Sequence, residues 1–151
     1  MYKRILVPVE NSAYDDVIIA HVRKLARVSN ASLALIHVAD GWAARNLKQL
    51  NLRESEEMQR DRKYIEDLAA SLRQEGFQVD AILAGGDPGD EIAAAADREH
   101  CDLIAMTTHG HRGLADVIRG SVANVVRHTS MVPVLLVRGP AHVASPAPKA
   151  K

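Results

Sequence analysis

The sequence predicts a single α/β domain built on an open, five-stranded parallel sheet, and three observations carry that expectation. Short apolar runs rich in β-branched residues alternate with amphipathic stretches up to about residue 138. The runs are apolar throughout rather than at every second position, as in strands covered on both faces. Each is separated from the next by enough residues for the crossover helix that parallel neighbours require. The 151 residues, 47% of them hydrophobic, suffice for one buried core and argue against a second domain.

The elements follow in order. RILVPV, residues 4–9, reads as a buried strand. NSAYDDVIIAHVRKLARVSN then reads as a helix, with Ser12 as its expected N-cap and Asp15 and Asp16 complementing the positive end of the first turn. Its apolar stripe, Ile18, Val22, Leu25 and Ala26, stops at Asn30. ASLALIHVAD supplies a second strand over residues 33–38, and residues 41–52 have no clear pattern. Beyond them Met58, Ile65 and Leu72 recur at heptad spacing, with Asp61 and Leu68 between, in a long amphipathic helix closed by Gly76. FQVDAILA is a third strand, and GGDPGDEIAAAADREH a helix with Asp87 as cap and Pro88 at its first position. CDLIAMTT is the fourth strand. The next stretch, MTTHGHRGLADVIRGSVANVVRH, leads into a helix with Val122, Val125 and Val126 on one side, and VPVLLVR is the fifth strand. Residues 139–151, rich in Pro and Ala with nothing to bury, are expected to be a disordered tail.

Composition excludes several functions. Lys plus Arg equals Asp plus Glu at 19 each, so no global field draws the chain to nucleic acid or anionic membrane. With 3% aromatic residues and no basic stripe, a nucleic-acid surface is not expected. No run approaches a membrane span, and the apolar part of the N-terminus is too short for a signal peptide. The expectation is a cytoplasmic protein. Cys101 is the only cysteine, so no internal disulfide forms, and with no flanking base it reads as a small buried hydrophobe.

The stretch from Met106 to His128 carries the chemistry. It begins at the carboxyl end of a strand, where open parallel sheets gather ligands, and contains Gly110, Gly113, Gly120 and Ser121 just before a helix. Glycines let backbone approach a phosphate, and a helix N-terminus offers it unpaired N–H groups. Glycine serves a plain turn equally well, so the residues by themselves leave both readings open. There is no Gly-Lys pair for a Walker A loop and no Gly-x-Gly-x-x-Gly after the first strand. His109 and His111 lie two apart with no cysteine or carboxylate nearby, so a four-ligand metal site is not expected.

ILVPVENS, LIHV, DLIAMTTHGHRGLADVIRGSVANVVRH and VPVLLVR, in that order, resemble the universal stress protein family over residues 2–138. The resemblance implies an adenine nucleotide alpha hydrolase-like, flavodoxin-like sheet of order 3-2-1-4-5, whose switch-point crevice lies between strands one and four. ATP-binding members share Gly-x2-Gly-x9-Gly-Ser/Thr. Gly110 and the Gly120-Ser121 pair match its second half, Thr107 stands where the first glycine falls, and Glu10 stands where the family has aspartate. By resemblance, Val38 would contact adenine, with Pro8 and Val9 bordering it. Backbone at Met106, Gly110 and Val122 and the Ser121 hydroxyl would hold the phosphates of ATP, with or without Mg²⁺, while Thr107 and His109 line the same site. A homodimer would form through Val134, Leu135, Leu136 and Val137 of the fifth strand.

The resulting reading is a cytoplasmic, adenine-nucleotide-binding stress-response protein that signals rather than catalyses. Two alternatives stand beside it: a dimeric interaction module of the same fold that binds no nucleotide, favoured by Thr107 and Glu10, and a slow ATPase. No catalytic residue is assigned. His109 and Arg112, the plausible water-orienting and cationic groups, lie on a glycine-flanked loop poorly suited to preorganisation.

Overall fold

The computed structural model describes residues 1–40, 56–108 and 121–139. Within them the order is β1 (Arg4–Pro8), α1 (Tyr14–Ser29), β2 (Ser32–Asp40), α2 (Glu56–Gln74), β3 (Val79–Gly86), α3 (Pro88–Arg98), β4 (Leu103–Thr108), α4 (Ser121–Thr129) and β5 (Val134–Arg138). The strands form one sheet of order β3-β2-β1-β4-β5 with every pair parallel, as expected.

Two layers of side chains bury the sheet, and strand alternation assigns each residue to one of them. Ile5 and Val7 of β1 and Leu33 and Leu35 of β2 pack under α1 and α2, against Ile18, Val22, Ile65, Ala69 and Leu72. Leu6, Ala34, Ile36, Ile104 and Met106 face the other way, against Ile92, Ala95 and Ala96 of α3 and Val126 of α4. The heptad of α2 is thus the buried stripe from Ile65 to Leu72, while Met58 is only partly covered. At the opposite end from the crevice, the Asp102 carboxylate accepts from the Lys3 and Arg4 amides at 2.8 and 3.0 Å. The Arg4 guanidinium reaches Asp80 at 2.8 Å, which ties the starts of β1, β3 and β4 together.

Helix starts divide between expectation and surprise. Asp87 caps α3 by accepting from the Asp90 amide at 3.2 Å, with Pro88 in the first turn. The regular helix α1 starts after Ala13, one residue later than a Ser12 cap would set it, but the Ser12 hydroxyl does accept from the Tyr14 amide at 3.3 Å. The surprise is Asp15, a residue of the first turn that is 3% exposed, which takes the amides of Glu10, Asn11 and Ser12 before the helix. Cys101 is buried, and burial raises its thiol above the ordinary range, which suppresses the reactive thiolate.

Gly89 decides how closely α3 and α4 approach at the crevice. A Cβ built there lies 2.7 Å from Cγ1 and 2.8 Å from Cβ of Val125, a β-branched residue with little rotamer freedom. Gly89→Ala would gain about 1 kcal/mol of helix propensity but incur about 1–3 kcal/mol of overpacking. Steric cost should win. Chemical denaturation is expected to show a net loss, and a more stable variant would mean that the two helices separate freely.

Candidate functional site

The crevice follows from where the strand ladders end. β1 pairs with β4 only at Ile5–Leu103 and Leu6–Ile104, whereas β4 continues beside β5 to Thr108 and β1 continues beside β2 to Pro8. The carboxyl ends of β1 and β4 therefore part, and a cleft of about 220 Å³ opens there. Its walls are Pro8, Val9 and Glu10 from β1 and the turn after it, Ile36, His37 and Val38 from β2, Pro88 and Ile92 from α3, Met106 and Thr107 from β4, and Val122 from α4. It is an apolar slot with a carboxylate at its rim.

Seven residues expected at one site, Pro8, Val9, Glu10, Val38, Met106, Thr107 and Val122, line this cleft together. Ser121 opens α4, the helix that contributes Val122. His109, Gly110 and Gly120 lie outside the described residues, as do His111, Arg112, Gly113 and Trp42. Among the described residues no group of three or more His, Cys, Asp or Glu could hold a metal ion. No described helix is long and apolar enough to cross a membrane.

The backbone of β2 gives the slot a polar edge. The Val9 amide donates to the Ile36 carbonyl at 2.8 Å, so the peptide groups of Ile36 face β1. In a parallel strand the N–H and C=O of one residue point the same way, and the direction alternates. Those of Val38 therefore face the β1 side as well, past the final β1 partner, Pro8–Ile36. A donor and an acceptor stand side by side in the slot, the arrangement that the edge of a planar heterocycle such as adenine can meet.

Four polar residues that were not expected at the site support it: His37 lines the cleft, and Asp15, Asp61 and Tyr64 sit behind its rim. The Asp15 carboxylate accepts from the amides of Glu10 at 3.0 Å, Asn11 at 2.8 Å and Ser12 at 3.2 Å. The Tyr64 hydroxyl donates to the same carboxylate at 2.5 Å. Burial, reinforced by the bond to Asp15 and its charge, raises the Tyr64 phenol far above its ordinary value, so it remains a donor. His37 Nδ1 lies 2.9 Å from the Val9 carbonyl oxygen and Nε2 lies 3.1 Å from Asp61 Oδ2. An imidazolium donates to both oxygens, whereas a neutral ring donates to only one.

The universal stress protein family model matches residues 1–138. The chain belongs to the universal stress protein family. Universal stress protein MJ0577 of Methanocaldococcus jannaschii is 28% identical over 158 residues, covering 91% of this chain and 96% of that protein. The solved structure of MJ0577 superposes with a TM-score of 0.79 at 29% identity, covering 94% of this chain and 99% of that one. A universal stress protein solved in complex with cAMP has a TM-score of 0.65 at 20% identity, covering 91% and 97%. The universal stress protein from Archaeoglobus fulgidus in complex with dAMP has a TM-score of 0.65 at 21% identity, covering 89% and 97%. These last two share the fold.

Proposed function

We propose that this universal stress protein binds an adenine nucleotide in the cleft between β1 and β4 and acts in the cytoplasm as a homodimeric stress-response signalling protein. The observation that carries the reading is the Val38 backbone edge in an apolar slot between Ile36, Ile92 and Met106. Adenine would stack in the slot and pair with that edge. Glu10, at the rim, supplies an acceptor for ribose hydroxyls, the part that carboxylates play in other doubly wound nucleotide sites. Phosphates would lie toward the start of α4, where helix N–H groups favour anions. The choice of ATP with Mg²⁺ rests on the half-motif formed by Gly110 and Gly120-Ser121. Two proteins of this fold solved with cAMP and with dAMP support the ligand class.

Thermal unfolding with and without ATP, ADP or cAMP tests the reading. A true ligand stabilises the fold by about 2.7 kcal/mol at 100 times its dissociation constant. Val38→Phe, which would fill the adenine space while leaving the phosphate end alone, should abolish the shift. If none of the three nucleotides stabilises the wild type at millimolar concentration, a dimeric interaction module without nucleotide becomes the better reading, in line with Thr107 in place of the motif's first glycine.

A further inference from the structure

We infer that one face of α2 holds the ribose end of the cleft in shape: Tyr64, through Asp15, and Asp61, through His37, are positioning residues for residues 9–12 and hence for the Glu10 carboxylate. The inference rests on the nucleotide-binding reading above and names the residues that tune that site.

The turn needs external support. After the Val9 amide leaves the ladder at Ile36, the chain passes through Asn11 at φ 59°, a left-handed conformation that asparagine tolerates better than most residues but that takes the amides around it out of any regular ladder. Asp15 compensates by collecting the three successive amides of Glu10, Asn11 and Ser12. A carboxylate that is 3% exposed persists only if its oxygens are well supplied with donors. The fourth donor comes from another element, the Tyr64 hydroxyl on α2.

The same helix grips the other end of the turn. Asp61 lies three residues before Tyr64, so both project from one face of α2. Asp61 meets His37, whose opposite nitrogen meets the Val9 carbonyl. Val9 and Glu10 both line the cleft, so the two contacts bracket the part of its rim that would meet ribose. Neither Tyr64 nor Asp61 lines the cleft itself. Their effect on a ligand therefore passes through the turn, and a displacement of Glu10 of about 1 Å is enough to weaken a positioned contact substantially.

Tyr64→Phe removes one oxygen and keeps the ring, so it tests the contact with little risk to folding. Affinity for ATP should fall about tenfold, because the shifted turn carries the Glu10 carboxylate out of register with the ribose hydroxyls. Affinity for 2′,3′-dideoxy-ATP, which has no ribose hydroxyl to offer Glu10, should be unchanged, and in a Glu10→Ala background Tyr64→Phe should become silent. Equal weakening toward both nucleotides, additivity with Glu10→Ala, or no weakening at all would overturn the inference while leaving nucleotide binding intact. A wild type that binds neither nucleotide would overturn both. Without ligand, amide hydrogen exchange at Glu10, Asn11 and Ser12 should accelerate in Tyr64→Phe and in Asp61→Asn, and unchanged exchange in both variants would also overturn it.

Discussion

Asp15→Ala is expected to destabilise the protein by about 3 kcal/mol, within the range for removing one partner from a buried charged network. The substitution strips an acceptor from three amides and the Tyr64 hydroxyl. The amides belong to a turn at the surface, where Glu10 and Asn11 are exposed, so water can re-solvate part of that loss. Tyr64 is half-buried and its hydroxyl, pointed inward, has less recourse to solvent. Asp15→Asn should fall between, because its amide group can replace one acceptor but turns two N–H groups toward donors. The Arg23–Glu75 pair is bidentate, at 2.6 and 2.9 Å, with Arg27 3.6 Å from the same carboxylate, yet it stays within reach of solvent, so breaking it should cost about 1 kcal/mol, less than Asp15→Ala. Urea denaturation at neutral pH measures all three, and a loss below about 1 kcal/mol for Asp15→Ala would show that water takes over the carboxylate's bonds to the turn and to Tyr64.

The same carboxylate shows where sequence reading stopped. Strand and helix order, the parallel pairing and the position of the crevice follow from apolar periodicity and from the resemblance, because both report on which faces are covered. Asp87 and Pro88 at the start of α3 were legible for a local reason: a cap acts within one turn. Ser12 is legible on the same local ground, since its hydroxyl accepts from the Tyr14 amide in the first turn. A local reading does not reach the other half of that helix start, where Asp15 accepts from the amides of Glu10, Asn11 and Ser12 and from the Tyr64 hydroxyl of α2. Asp15 itself looked like an ordinary first-turn acid, since nothing nearby in sequence announces that Tyr64 will meet it.

Asp61 did carry a signal. It stands between Met58 and Ile65 on the stripe that faces the sheet, and a carboxylate in such a position calls for a buried partner. His37, inside the apolar run LIHV, is the matching anomaly. Each was visible alone, but their pairing depends on how α2 lies across β2, which periodicity does not specify. The cleft lining was legible further than this. Pro8, Val9, Glu10, Val38, Met106, Thr107 and Val122 meet there because successive strand ends and a helix start converge at the switch point. Pro88 and Ile92, from the helix after β3, were missed because the resemblance was carried over only through the motif-bearing elements.

Leu136→Pro is expected to convert a dimer into monomers. β5 is the outer strand of the sheet, and Val134, Leu135, Leu136 and Val137 are all partly buried rather than exposed. Their side chains divide between the layers, Leu135 and Val137 against the α1 side and Val134 and Leu136 against the α3 side. The edge therefore offers a partner mainly its backbone and the flanks of these residues. The Ile104 amide donates to the Pro133 carbonyl at 2.9 Å and the Gly139 amide to the Thr108 carbonyl at 3.0 Å, so odd-numbered residues of β5 face β4. By alternation the peptide groups of Val134 and Leu136 face outward. An open apolar edge invites pairing, and a two-fold axis beside it would close that edge with a self-complementary copy. Proline at residue 136 removes an outward donor without taking one from the β4 ladder, and Val134→Pro does the same at the first residue of the strand, where proline is best tolerated. Sedimentation at micromolar concentration should show a dimeric wild type and, for at least Val134→Pro with unchanged circular dichroism, a monomer. A monomeric wild type, or two folded proline variants that remain dimeric, would place any self-association elsewhere on the molecule.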